Sequence, residues 1–289
     1  MIFPDGCAME PVEFGKGGDV EEPGQAQAAA PATGASYGIA FAPIAEIESG
    51  RVFAYEALLR ARDGGVVDAQ IAGMDQPAQA ALQARFRLAS VRSAAGLGFV
   101  TSGARLILNL PLELIGDPFE ELRPLIDAAH ALGIVPRRLI MRVQAPERFA
   151  SSKLADLLDA HAKHGCATLY GPFHGGDDEI QRLTRLPPDF VEIDPDQTSG
   201  IASSWGRRIQ VENLSRRIAG ASHGARLIAG GVGGLADAVK LRGFGFRYVS
   251  GDVVGAPALG ALPASLLEPK AAEAPGGVGR RPLEPRSQG

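Results

Sequence analysis

Between residues 36 and 267, short apolar runs alternate with longer stretches whose apolar residues recur every three or four positions. The short runs read as buried strands and the longer stretches as amphipathic helices. Strands are expected at 37–44, 52–60, 105–110, 139–143, 167–170, 190–193, 226–229 and 246–249. Helices are expected at 77–97, 118–132, 152–164, 177–186, 205–222 and 235–242, with a last short one after Ala261. Gly96, Gly98, Gly133 and Gly165 supply stop signals. The first two strands flank Glu48-Ser49-Gly50, which is turn chemistry, and form a hairpin. Apolar strands interleaved with helices imply a parallel sheet covered by helices, and eight strands close into a barrel. The expected fold is therefore α/β, a modified TIM (β/α)8 barrel with an antiparallel first strand.

Composition sets the limits of that domain. Residues 1–35 and 268–289 are rich in Gly, Ala, Pro and Glu without a sustained period. They bury too little to offset their ordering entropy and are expected to be disordered tails around a barrel at 36–267. Hydrophobic residues make up 45% of the 289, ample for one core. The formal charge of -4 argues against nucleic-acid binding through a broad basic face. No apolar run reaches the ~20 residues needed to span a bilayer, and the N-terminus lacks the basic start and apolar segment of a signal peptide. Cys7 and Cys166 lie in unlike contexts, so a disulfide is not expected and a cytoplasmic location is the simpler reading. Cys166 is expected to be an inert buried thiol.

One strand carries a charge that needs an explanation. Phe53-Ala54-Tyr55-Glu56-Ala57-Leu58-Leu59-Arg60 places a lone carboxylate inside an apolar run. Burying it is costly unless a cation pairs with it. Glu56 is thus either a metal ligand or half of a buried ion pair. The stretch closely resembles the signature segment of the EAL domain, the barrel phosphodiesterase family that opens cyclic di-GMP. Further resemblance lies at Leu108-Asn109-Leu110, at Arg185-Leu186-Pro187-Pro188-Asp189-Phe190-Val191-Glu192-Ile193-Asp194 and at Ala229-Gly230-Gly231-Val232. It covers nearly the whole of residues 38–260.

The resemblance implies metal-assisted hydrolysis, in which divalent cations polarise the phosphate and generate hydroxide. Such cations need several hard oxygen ligands. Two of the family's ligand positions are kept here, Glu56 and Asn109. The others are exchanged. The fourth-strand glutamate falls at Arg142, the paired aspartates of the fifth strand at Tyr170 and Gly171, and the catalytic lysine of the sixth at Glu192. Loop glutamates fall at Gly230 and Gly233, and the glutamine near the last strand at Ser250. The first-strand glutamine that reaches the nucleotide falls at Ala42.

These exchanges predict an ion-pair cluster in place of metal. Glu56 and Asn109 together bring one negative charge, and Arg142 cancels it, so Mg²⁺ or Mn²⁺ has little compensation. Arg142 is the expected partner of Glu56, and Glu192 could join it. The implied function is a catalytically inactive regulatory protein that works through contact with a protein partner. Two alternatives stay open. One is a cyclic di-GMP receptor that binds without cutting, using the retained Arg60, which the family aims at phosphate and which could equally be a salt-bridged rim residue. The other is a divergent phosphodiesterase that recruits Asp177 or Asp178, with Mg²⁺ or Mn²⁺ as cofactor; a helix start is the favoured reading of that acidic stretch. His174 reads as a loop histidine.

Weaker signals have plainer readings. Gly175-Gly176 and Gly230-Gly231-Val232-Gly233-Gly234 invite a phosphate loop, but the lysine and hydroxyl of that motif are missing and a tight barrel turn is favoured. Arg207, Arg208, Arg216 and Arg217 read as a solvated helix face that could also dock an acidic partner. Members of the family often pair through barrel helices, so a homodimer remains open.

Overall fold

The computed structural model describes residues 37–267. The expected tails, with Cys7, lie outside the described residues.

The chain opens with the hairpin of β1 (Tyr37–Glu46) and β2 (Val52–Ala61). Its turn is made possible by Gly50, whose φ of 67° is left-handed. Helices α1 (Asp68–Ala72), α2 (Gln76–Gly96) and α3 (Phe99–Ser102) lead to β3 (Arg105–Asn109). Asp75 caps α2 by accepting from the Ala78 amide at 2.8 Å. Then come α4 (Pro118–Ala131), β4 (Leu139–Val143), α5 (Ser151–His164), β5 (Ala167–Phe173), α6 (Asp177–Arg185) and β6 (Phe190–Ile193). The short α7 (Pro195–Thr198), the long α8 (Trp205–Ala221), β7 (Arg226–Ala229), α9 (Leu235–Gly243), β8 (Phe246–Ser250) and β9 (Ala258–Leu259) complete it.

Strands β2 to β8 pair in sequence order and run parallel. β1 closes the ring by pairing antiparallel with both β2 and β8. The result is the expected eight-stranded barrel with one inverted strand, plus β9 laid on the free end of β1 through Ala40↔Leu259 and Phe41↔Ala258. Side-chain alternation along the strands makes two cores. Ile44, Ala54, Ile107, Ile140, Leu169, Phe190, Ile228 and Tyr248 fill the barrel. The other strand faces pack outward against the helices. Among the described residues no helix is long and apolar enough to cross a membrane.

The helix expected after Ala261 does not form within the described residues. Residues 262–267 form neither helix nor strand, and the Leu266 amide, which a helix would aim back four residues, donates instead to the Val254 carbonyl at 2.7 Å. β5 runs three residues beyond the expected end at Tyr170. The short helices α1, α3 and α7 are additions to the expected set.

Candidate functional site

The chemistry of a barrel of this type belongs where its parallel strands end. One step above the apolar filling, on the same inward face, lie Glu56 on β2, Asn109 on β3, Arg142 on β4 and Gly171 on β5. Glu192 on β6, Gly230 just past β7 and Ser250 on β8 continue the ring. Ala42 sits opposite Glu56 on the antiparallel β1. The sequence positions singled out from one strand after another thus fall into a single layer, apart from Tyr170 and Gly233.

Arg142 is the hub of that layer. Its Nη1 donates to Glu56 Oε1 at 2.6 Å, and its Nη2 donates to Glu192 Oε2. All three side chains are largely buried. Burial pushes the Glu192 carboxyl up to about 7, against the pull of the Arg142 charge. Burial alone would lower the Arg142 guanidinium, but the two carboxylates outweigh it and hold its pKa above the usual range. Within this layer two buried side-chain atoms, Arg142 Nε and Asn109 Oδ1, have no hydrogen-bond partner among the described residues.

Gly171 is what admits Glu192. A Cβ at that position would lie 2.8 Å from Glu192 Cβ and 3.0 Å from its carbonyl oxygen. The neighbouring Tyr170 requires a correction. Alternation on β5 turns Ala167 and Leu169 into the barrel, so Tyr170 faces the helices instead. Its hydroxyl donates to the Leu186 carbonyl at 3.0 Å, at the end of α6. The ring is fully buried there and does not occupy the mouth. Burial also pushes its phenol above the ordinary range.

A family profile, that of the EAL domain, matches residues 30–257. The chain belongs to the EAL domain family. No curated protein sequence matches it. Among solved structures, a standalone EAL protein from Vibrio cholerae with c-di-GMP bound shares 20% identity at a TM-score of 0.71, over 81% of this chain and 97% of that one. A Klebsiella pneumoniae protein solved with manganese and cyclic di-GMP shares 21% at a TM-score of 0.69, over 79% of this chain and 57% of that one. The EAL domain of Xanthomonas citri FimX in complex with c-di-GMP shares 19% at a TM-score of 0.65, over 78% and 88%. At these identities the likeness to solved structures shows the fold.

In this EAL domain the acidic stretch after β5 serves the start of α6. Glu179 accepts from the amides of Gly176 at 2.7 Å and His174 at 3.1 Å. Asp177 is fully exposed and pairs with Arg217 on α8 at 2.6 Å. His174 is 3.7 Å from Asp194, which caps α7 just beyond Glu192. Asp194 is a carboxylate near the mouth to which sequence reasoning gave no role. Its signal was its place one residue after the β6 strand.

The glycine turn after β7 is tight because it is crowded. A Cβ on Gly231, whose φ is 63°, would meet Pro195 Cβ at 2.5 Å. The Val232 amide donates to Ser250 O at 2.8 Å and the Gly230 amide to Ile193 O at 3.2 Å, so these donors serve the fold. Arg60 stands on the inward parity of β2 above Glu56. It donates to its neighbour's carbonyl, Leu59 O, at 3.0 Å, and no carboxylate among the described residues pairs with it. On α8, Arg216 pairs with Glu212 and Arg207 donates to Ser199 O at 2.7 Å, as befits a solvated face. Cys166 is buried, and burial pushes its thiol up to about 12.

Proposed function

We propose that this EAL domain is a pseudo-phosphodiesterase with a regulatory role, acting through contact with a protein partner. The observation that carries the reading is the Arg142 guanidinium, bonded to Glu56 and Glu192 in the middle of the ligand layer. A divalent cation seeks several oxygen ligands. Here one retained carboxylate is already engaged by a cation, and Gly171, Gly230 and Ser250 bring no carboxylate to the ring. The residues present do not fit a divalent metal pair. Exposed apolar side chains, Trp205 at the start of α8 and Leu235 at the start of α9, give a protein partner something to bury. Titration calorimetry with MnCl2, alongside an assay of cyclic di-GMP turnover in Mn²⁺, tests the reading. No saturable heat and no linear product are expected; Mn²⁺-dependent turnover would overturn it.

A second reading is a receptor that binds cyclic di-GMP without cutting it. It is favoured by Arg60, which has no carboxylate partner among the described residues, and by Tyr170 lying clear of the mouth. Fluorescent cyclic di-GMP titrated in EDTA separates the two: saturation that Arg60→Gln weakens supports the receptor. The phosphodiesterase that recruits Asp177 has little support, since that side chain faces solvent and Arg217.

A further inference from the structure

The antiparallel β1 gives the mouth an apolar flank. Leu58 on β2, Ala40 on β1 and Leu259 on β9 lie side by side in register, on the inward face that also carries Glu56. One step nearer the rim, Arg60 is the cross-strand partner of Gly38. A Cβ on Gly38 would lie 2.8 Å from Leu259 Cδ1, so the leucine leans over that glycine toward the arginine. Leu259 is 44% exposed and Leu58 is half-buried, and neither belongs to the two cores. Arg60 is also part-exposed, and no carboxylate among the described residues pairs with it. The result is an apolar shelf with a cation at its edge.

What covers the shelf follows from where the chain enters. Tyr37, the first described residue, pairs with Ala61 at the end of β2, so the preceding residues arrive at this rim. They carry Asp5, Glu10, Glu13, Asp19, Glu21 and Glu22 against a single basic residue, Lys16. Among them Glu10-Pro11-Val12-Glu13-Phe14 sets two carboxylates beside an apolar pair. The 22 residues from Gly15 to Ser36 can span up to ~75 Å, more than the shelf requires. A segment tethered at such a length stands at an effective concentration of order mM, so weak contacts suffice to seat it. Charge selects the side of the mouth. Arg60 attracts an acidic segment, whereas the opposite rim, with Asp177, Asp178, Asp194 and Asp196, repels it.

We propose that residues 10–14 of this chain dock on the shelf, with Phe14 against Leu58 and Leu259 and Glu13 paired with Arg60. The docked segment covers the arginine that the receptor reading needs. Access to Arg60 is then set from within the chain, and a partner that draws the segment away uncovers it. The contact goes beyond the loss of the metal site and does not rest on it.

The test uses the full, isotope-enriched chain with a nitroxide on Cys7, three residues before Glu10. Cys166 is buried and its thiol is pushed up to about 12, so the reagent takes Cys7. Paramagnetic broadening of amide signals is expected at residues 38–40, 58–60 and 258–259, and not along α5 on the other side of the barrel. Arg60→Gln should lower the docked population about threefold, the size of one exposed ion pair. Phe14→Ser should lower it about tenfold, the size of one partly buried aromatic. Glu13→Arg should restore the broadening that Arg60→Glu alone removes. Broadening that is absent, or spread evenly over the barrel, overturns the proposal. So does broadening that survives both Arg60→Glu and Phe14→Ser in folded chains. A mixture of nitroxide-bearing, unenriched chain with unmodified, enriched chain reads the competing occupant. The same broadening there would put the segment of a second copy on the shelf and overturn the contact within one chain. None of these readouts measures turnover or metal, so their failure is separate from failure of the pseudo-phosphodiesterase reading.

Discussion

Arg142 on β4 and Glu56 on β2 meet at 2.6 Å across the width of β3, inside the barrel mouth. Strand order alone keeps these residues apart; the inward parity of both strands brings them together. A buried ion pair of this kind is costly to break by halves. Arg142→Met would strand Glu56 and Glu192 as neighbouring buried carboxylates. Its expected cost is about 3–5 kcal/mol in urea unfolding. Replacing all three residues with Met, Leu and Leu removes the charges together and should restore most of that loss. A single variant that unfolds with wild-type stability would show that the cluster carries no such strain.

Gly171 and Glu192 are coupled by space rather than charge. Any side chain at 171 drives a Cβ to within 2.8 Å of Glu192 Cβ. Gly171→Ala should therefore destabilise the domain by about 1–3 kcal/mol, in the range of overpacked cores. Gly171→Asp, which would put back an acidic oxygen at this level, should cost at least as much and still not create Mn²⁺ binding while Arg142 is present. Calorimetry on the Asp variant decides: saturable Mn²⁺ binding would mean that the arginine is not the obstacle.

The barrel was legible because each strand is a short apolar run and each helix a longer periodic one. The ion-pair hub was legible because a carboxylate in an apolar strand demands a cation, and Arg142 is the charged residue of the β4 run. Tyr170 was misplaced for an instructive reason. It was assigned by alignment to a pair of positions, whereas alternation along Ala167, Leu169 and Gly171 sends those three inward and Tyr170 outward. β9 has two residues and no period to read.

Tyr170→Phe follows from that correction. The hydroxyl's bond to Leu186 O ties β5 to the end of α6. Its loss should cost about 1 kcal/mol. Because the ring lies outside the mouth, the variant should leave any cyclic di-GMP binding at its wild-type affinity. A changed affinity with an unchanged fold would place Tyr170 closer to the ligand than its packing implies.

Two buried groups should bend the pH dependence of stability in opposite directions. Glu192 has its carboxyl raised from 4.5 to about 7, so the native state takes up a proton before the unfolded chain does. Its contribution is present in full below about pH 4.5 and is lost as pH rises through about 7. His161 is lowered from 6.5 to about 3, so the unfolded chain takes up a proton that the native state refuses. Its contribution is present above about pH 6.5 and is lost as pH falls toward 3. Each slope has a limiting value of about 1.4 kcal/mol per pH unit. Between pH 4.5 and 6.5 they oppose each other, and the wild-type profile should be flatter than either alone. Urea unfolding of Glu192→Gln and His161→Gln across this window separates them. The stability difference between wild type and Glu192→Gln should shrink as pH rises, and that between wild type and His161→Gln should shrink as pH falls. If both differences stay constant across the window, neither group titrates as its burial dictates, and the mouth is wetter than the packing around Arg142 allows.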